Sequence, residues 1–258
     1  MKVVILAGGM GTRLAEETSI IPKPMVEIGG KPILWHIMKI YSYYGFNDFI
    51  ICLGHKGYVI KEYFVNYFMH NSDLTVSLLS NDIKFHQTFS EDWNVTLIDT
   101  GLNTGTAGRL KKIKKYIYDD TFMMTYGDGV SNVNILSLLQ YHYLHGKIAT
   151  VTAVKPLARF GNLKFKNNSF IVKDVKEKSQ EEQTFINGGF FVFNKKIFDY
   201  LIYDDSVMFE RLPMETLSNS EELIAYTHNG FWSCMDTLHD KYSLEQCWNS
   251  GKALWKVW

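Results

Sequence analysis

Met1-Lys2-Val3-Val4-Ile5-Leu6-Ala7-Gly8-Gly9-Met10-Gly11-Thr12-Arg13-Leu14 is the stretch from which the fold is read. Residues 3–6 form an unbroken apolar run, the pattern of a strand covered on both faces of its sheet. Glycines follow at once. Lacking a Cβ, they permit positive φ and close backbone approach, so successive N–H groups can converge on an anion. Open α/β sheets bind ligands at this spot, outside the carboxyl end of a parallel strand. Arg13 adds a fork of donors suited to phosphate. Taken alone, such a turn can also do no more than join strand to helix. Two phosphate fingerprints do not fit. G-x-G-x-x-G needs a third glycine where Leu14 stands, and the P-loop lysine is missing, since none occurs until Lys23.

Outward from this start, strand-like and helix-like segments alternate. Residues 32–44 read as a helix closed by Gly45, 49–53 as a second buried strand, and 58–68 as a helix. Residues 75–79, 94–99 and 122–126 read as strands, 135–145 as a helix and 149–154 as a strand. Beyond these, 163–165, 170–175 and 190–193 look like short strands, 208–218 partly helical and 238–250 a closing helix. The alternation predicts one doubly wound, Rossmann-like α/β domain over 1–258, with a mostly parallel, mixed sheet and helices on both faces.

Composition narrows the function classes. Basic and acidic residues balance at 27 each, so there is no field for collecting nucleic acid or an anionic membrane. Any phosphate must be held by local groups. The three cysteines, Cys52, Cys234 and Cys247, are odd in number and widely spaced, which predicts neither disulfides nor a metal cluster. Cys52 lies within the apolar run 49–53 and is expected inside a strand. The apolar start is too short before its glycines for a signal peptide, and no apolar run approaches the roughly 18 residues of a membrane span. A cytoplasmic location is the expectation.

Three further groups carry chemistry. Pro22-Lys23-Pro24 holds a lysine between two rings that each fix a backbone angle and restrict the preceding residue, so its side chain is aimed rather than free. Tyr126-Gly127-Asp128-Gly129 puts a carboxylate at the end of a buried strand, where Mg²⁺ can take it together with substrate phosphates. Gly-Asp-Gly is equally an ordinary turn. Asp236 stands before the last predicted helix, where it or Thr237 can also serve as the N-cap.

The run from Gly9 through Arg13 to Pro22-Lys23-Pro24-Met25 resembles the signature of the sugar-nucleotide pyrophosphorylases, nucleotidyltransferases that make nucleoside-diphosphate sugars. The resemblance implies a triphosphate wrapped by Leu6, Ala7, Gly8, Gly9, Met10, Gly11, Thr12 and Arg13, with Gly127 beside it. It implies that Arg13 and Lys23 act on the reacting phosphates, and that Asp128 and Asp236 hold Mg²⁺. It assigns the sugar phosphate to Glu177-Lys178 and Asn187-Gly188, although the charge-rich surroundings of Glu177 read on their own as a solvated face. Residues 1–130 would be mainly the nucleotide half, and 131–258 mainly a sugar-binding extension with the final helix. The loop Thr100-Gly101-Leu102-Asn103-Thr104-Gly105-Thr106-Ala107-Gly108-Arg109 resembles that of members using CTP and glucose 1-phosphate. There Thr104 would hold the loop, and Arg109 would donate to O2 and N3 of cytosine, the alternative being that it only caps the following helix or contacts phosphate. Departures from the pattern are Ala107 for glycine, Phe209 for tryptophan and Ser179 for proline. UTP or dTTP as donor, or a non-catalytic subunit on the same fold, remain alternatives. Family members commonly form homo-oligomers.

Overall fold

The computed structural model describes residues 1–156, 162–166, 172–176, 184–201 and 204–258. Its centre is an eight-stranded sheet. The strands run in the order Ile186–Asn187, Ala149–Val154, Phe191–Asn194, Thr121–Tyr126, Val3–Ala7, Asp48–Leu53 and Asn94–Asp99, with Leu223–His228 also pairing with Ala149–Val154. Val3–Ala7 pairs in parallel with Asp48–Leu53 on one side and Thr121–Tyr126 on the other. Asn94–Asp99 continues the parallel half. Phe191–Asn194 is antiparallel to both of its neighbours, which makes the sheet mixed as expected.

Both faces are covered, which explains why the first strand shows no alternation in sequence. Val3 and Ile5 point into a core shared with Ile33, Ile37 and Tyr41 of helix Ile33–Tyr43, Leu138 of helix Ile135–His145 and Trp255 near the chain end. Val4 and Leu6 point the other way, toward Leu110 of helix Thr106–Lys112 and the aromatic group Phe122, Phe191, Phe193 and Phe209. Cys52 is fully buried in its strand, as expected, and burial pushes its thiol up to about 12.

Most predicted elements stand with small shifts at their ends. The helix expected over 58–68 is two, Gly57–Val65 and Tyr67–His70, which meet at Asn66. Among the differences from the sequence reading, helix Thr106–Lys112 begins inside the loop expected over 100–109, and three others concern strands. The strand expected at 75–79 is one arm of an exposed hairpin, Ser72–Ser77 with Asp82–Thr88, and Leu78 and Leu79 lie in its turn. Leu223–His228, expected as no element, is a sheet strand. The third is a two-stranded ladder, Trp232–Cys234 against Gly129–Ser131, and it positions the site.

Candidate active site

The glycine loop leaves the first strand as predicted. Gly8 is buried, Gly9 and Met10 are exposed, and Gly11 has φ +65°, a conformation that favours glycine. A Cβ on Gly11 would also lie 2.9 Å from Thr18 Cγ2. Thr18 Oγ1 donates to the carbonyls of Gly11 and Leu14, which folds the loop back on itself.

Lys23 opens a one-turn 3₁₀ helix, Lys23–Met25, started by extended Pro22 and closed by Met25 N–H donating to Pro22 O and Val26 N–H to Lys23 O. Pro24 packs against Gly127, where a Cβ would stand 3.0 Å from the ring. This bracing aims the ammonium. Lys23 Nζ donates to Asp128 Oδ2 at 2.7 Å and to Asp236 Oδ1 at 2.5 Å, and Arg13 Nη1 reaches Asp236 Oδ2 at 2.9 Å. Burial alone would lower the Lys23 pKa, but the two carboxylates outweigh it and the net shift is upward. Lys23 is therefore a cation throughout the neutral range.

The ladder explains how two distant aspartates meet. Cys234 pairs with Gly129, and Met235 N–H donates to Asp128 O at 2.9 Å, so the strand delivers Asp236 beside Asp128. The capping role left open in the sequence falls to Thr237. Its hydroxyl accepts from Asp240 N–H while Asp240 caps in return, so the Asp236 carboxylate turns to Lys23 and Arg13. Among the described residues no group of three or more His, Cys, Asp or Glu side chains is gathered as in an all-protein metal site. A pair of carboxylates is still a hard-oxygen donor set suited to a divalent cation that also binds phosphate.

Two cavities adjoin at these carboxylates. One, of about 420 Å³, is lined by the glycine loop, Lys23, Thr104, Arg109 and Gly127; the other, of about 510 Å³, by Asn187, Gly188, Glu210, Arg211 and Trp232. Both share Arg13, Thr106, Tyr126, Asp128, Met208 and Asp236. These volumes are those of small-molecule sites. Glu177 and Lys178 lie outside the described residues. Thr104 holds its loop by donating to Thr100 O at 2.6 Å.

Arg109 already has partners within the protein. Its fork does not stand open to a base. Nη1 donates to Leu53 O, Thr100 Oγ1 and Gly101 O, and Nη2 to Gly8 O and Leu102 O. A Cβ on Gly8 would lie 2.2 Å from Nη1, so glycine there makes room for the guanidinium. The side chain ties the glycine loop to the 100–102 turn. Nη2 to Leu102 O, at 3.3 Å, is the longest of these bonds.

Of the second cavity's polar network the sequence reading names Asn187 and Gly188 as site residues but not Glu210 or Trp232. Asn187 Nδ2 donates to Tyr126 Oη at 3.0 Å, Tyr126 Oη to Glu210 Oε1 at 2.5 Å, and Trp232 Nε1 to Gly188 O at 2.7 Å. The one signal available for Glu210 was the residue itself, an acidic side chain between Phe209 and Arg211 just ahead of helix Leu212–Asn219.

The sequence and the fold are similar to those of known proteins. The sequence profile of the nucleotidyl transferase family matches residues 2–240. The chain is 54% identical to glucose-1-phosphate cytidylyltransferase of Salmonella typhimurium, with 100% of both sequences covered. It is 46% identical, again over 100% of both, to a Bacillus subtilis protein named probable glucose-1-phosphate cytidylyltransferase. Among solved structures, HddC from Yersinia pseudotuberculosis superposes with a TM-score of 0.69 at 25% identity, covering 96% of this chain and 99% of that one. A UDP-glucose pyrophosphorylase complexed with UDP-glucose shares the fold, with a TM-score of 0.68 at 16% identity over 97% and 98% of the two chains. The profile match runs through the glycine loop, Lys23 and both aspartates, and the chain belongs to the nucleotidyl transferase family.

Proposed function

We propose that the protein transfers the cytidylyl group of CTP to α-D-glucose 1-phosphate, giving CDP-glucose and pyrophosphate. The names of the full-length relatives support the choice of substrates. The observation that carries the reaction is the shared wall: Lys23 sits between Asp128 and Asp236 where the two cavities adjoin. A triphosphate in the first cavity and a sugar phosphate in the second would meet there.

The chemistry needs little from the protein beyond placement. A sugar-phosphate oxygen attacks the α-phosphorus in line while pyrophosphate leaves. The second pKa of a phosphate monoester is about 6, so the nucleophile is largely ionised at neutral pH and no general base is required. Lys23, fixed by its prolines, and Arg13 hold positive charge against the phosphates as charge redistributes. The glycine loop's N–H groups face the triphosphate. Asp128 and Asp236 would hold Mg²⁺, which when bound neutralises phosphate charge.

On this reading residues 1–130 form mainly the nucleotide side, with Thr104 and Arg109 at the base, and 131–258 mainly the sugar side, with Asn187 and Gly188. Glu177 and Lys178 are assigned to the sugar phosphate by resemblance alone. A cytoplasmic location is part of the same proposal. No helix among the described residues is long and apolar enough to cross a membrane. A homo-oligomer fits the apolar side chains exposed on the hairpin, Leu78 and Leu79 at 91% and 101%. Pyrophosphate release from a panel of triphosphates and sugar 1-phosphates tests the function. CTP with glucose 1-phosphate should be the fastest pair, and preference for UTP or dTTP, or no release from any pair, overturns it.

A further inference from the structure

Glu210 lines the second cavity, bonded to Tyr126 and Thr106 of the wall it shares with the first, and no part of the phosphate chemistry accounts for it. Its Oε1 accepts from the Tyr126 phenol at 2.5 Å and its Oε2 from Thr106 Oγ1 at 2.7 Å. The Tyr126 oxygen accepts from Asn187 Nδ2 at 3.0 Å, and Asn187 Oδ1 accepts from Gly189 N–H at 2.9 Å. The chain of bonds therefore fixes which end of the Asn187 amide faces which neighbour. Among the described residues each Glu210 oxygen meets one donor, whereas a carboxylate oxygen can accept two. The carboxylate lines the second cavity and has capacity there for further donors.

The segment that carries it is held firmly. Phe209 N–H donates to Thr106 Oγ1 at 2.7 Å, Gly105 N–H to Asp205 O at 2.8 Å and Ala107 N–H to Val207 O at 3.2 Å. A Cβ on Gly108 would lie 2.1 Å from Asp205 O, so only glycine lets the segment close onto the helix. Glu210 is thus placed by the loop that lines the nucleotide cavity, and it faces the other one.

An acceptor with spare capacity and negative charge selects its ligand. It repels phosphate and welcomes hydroxyl donors. Arg13 lies on the shared wall and supplies the opposite charge. We infer that Glu210 is a specificity-determining residue for the sugar: it accepts from a pyranose hydroxyl, and through Tyr126 it presets Asn187 beside the same ring. This orients the substrate with its phosphate toward Arg13 and its hydroxyls toward Glu210. The inference rests on the reading of the second cavity as the sugar site.

The test is a coupling experiment. Affinities of wild type and Glu210→Gln for glucose 1-phosphate and for its 2-, 3-, 4- and 6-deoxy analogues are measured by calorimetry in the presence of a non-hydrolysable CTP analogue. CTP-analogue affinity is measured separately. In wild type, loss of the contacted hydroxyl should weaken binding about tenfold or more, as loss of a charge-assisted hydrogen bond does. In Glu210→Gln the same deletion should cost less than about threefold, with CTP-analogue affinity unchanged. Deoxy penalties identical in both proteins at every position overturn the proposal. If wild type binds no sugar phosphate, the proposal falls together with the reading it rests on. Wild-type binding that Glu210→Gln leaves untouched defeats the proposal alone. Should the amide unsettle the segment, Tyr126→Phe keeps the ring against Phe191 and removes one of Glu210's two donors. It should weaken sugar phosphate more than CTP analogue, and the reverse order overturns the assignment.

Discussion

One wall of the cleft comes largely from a single stretch of chain. The glycine loop, Arg13 and Lys23 all lie within the first 24 residues, at the end of the central strand. The facing wall is gathered from far apart: Tyr126 ends one strand, Asn187 sits in a two-residue strand, Glu210 precedes a helix, and Trp232 belongs to a ladder outside the main sheet. The contiguous wall is braced locally, by prolines and by Thr18 folding its own loop. The dispersed wall is braced by bonds between side chains separated by tens of positions. A contiguous wall lends itself to charge chemistry common to every substrate of the reaction. A dispersed wall offers independent positions at which the ligand's shape can be read.

If that division holds, the largest effect comes from the contiguous side. Lys23→Ala should fold normally and lose about two or more orders of magnitude in turnover, the scale of losing one preorganised charged contact. Circular dichroism with steady-state rates checks it, and near-normal turnover in a folded variant breaks the comparison at its strongest point. The variant also leaves Asp128 and Asp236 facing each other without their shared ammonium, so its thermal midpoint is worth recording beside the rate.

Next in size are the carboxylates, which join the two walls. Asp128→Asn and Asp236→Asn each remove one charged ligand, and the Mg²⁺ concentration for half-maximal rate should rise about tenfold or more in each. A titration of rate against Mg²⁺ reads this directly. Wild-type dependence in both variants would remove them as the cation's ligands.

The same contrast governs what could be read before any coordinates. The first strand and glycine loop are legible because their pattern is local, and so is the lysine, whose rigidity follows from its two flanking prolines. The meeting of Asp128 with Asp236 is not local. It depends on the register of Trp232–Cys234 against Gly129–Ser131, two three-residue strands too short to show a period. Resemblance supplied the pair, and the ladder supplies its physical cause. Glu210 is not legible in sequence because its neighbours read as the approach to a helix, and its partners Tyr126 and Thr106 lie 84 and 104 positions away. Of the hairpin only one arm is expected from sequence, at 75–79, with its end carried into the turn; Asp82–Thr88 is exposed along its whole length and has no buried face to set a pattern.

Arg109 is a smaller, sharper test on the nucleotide side. Its five bonds make it a tether, and the long one to Leu102 O is the least costly to exchange for a cytosine edge. Arg109→Gln should lose roughly tenfold in CTP efficiency and narrow the gap to UTP, because the glutamine amide offers an acceptor to N3–H as well as a donor. An unchanged CTP-to-UTP ratio, with efficiency and thermal stability both lowered, would leave Arg109 as tether alone.

The smallest expected effect falls on the dispersed wall, and it asks whether that wall acts on the sugar side only. Trp232 Nε1 donates to Gly188 O at 2.7 Å and fixes the carbonyl of a glycine that cannot be replaced cheaply. A Cβ on Gly188 would lie 2.7 Å from Val154 Cγ1 and 3.0 Å from Thr152 O, so the backbone here is already pressed against the sheet. Trp232→Phe keeps an aromatic ring in place and removes the one donor. A neutral hydrogen bond contributes about 1 kcal/mol, so the KM for glucose 1-phosphate should rise about fivefold. Because Trp232 lines the second cavity and Arg13, Asp128 and Asp236 are untouched, the KM for CTP and the Mg²⁺ dependence should stay at wild-type values. Initial rates with each substrate varied in turn separate the two constants. A parallel rise in both would mean that the walls are mechanically coupled through Tyr126 and Thr106, and that the division between a chemical wall and a reading wall is one of sequence origin alone.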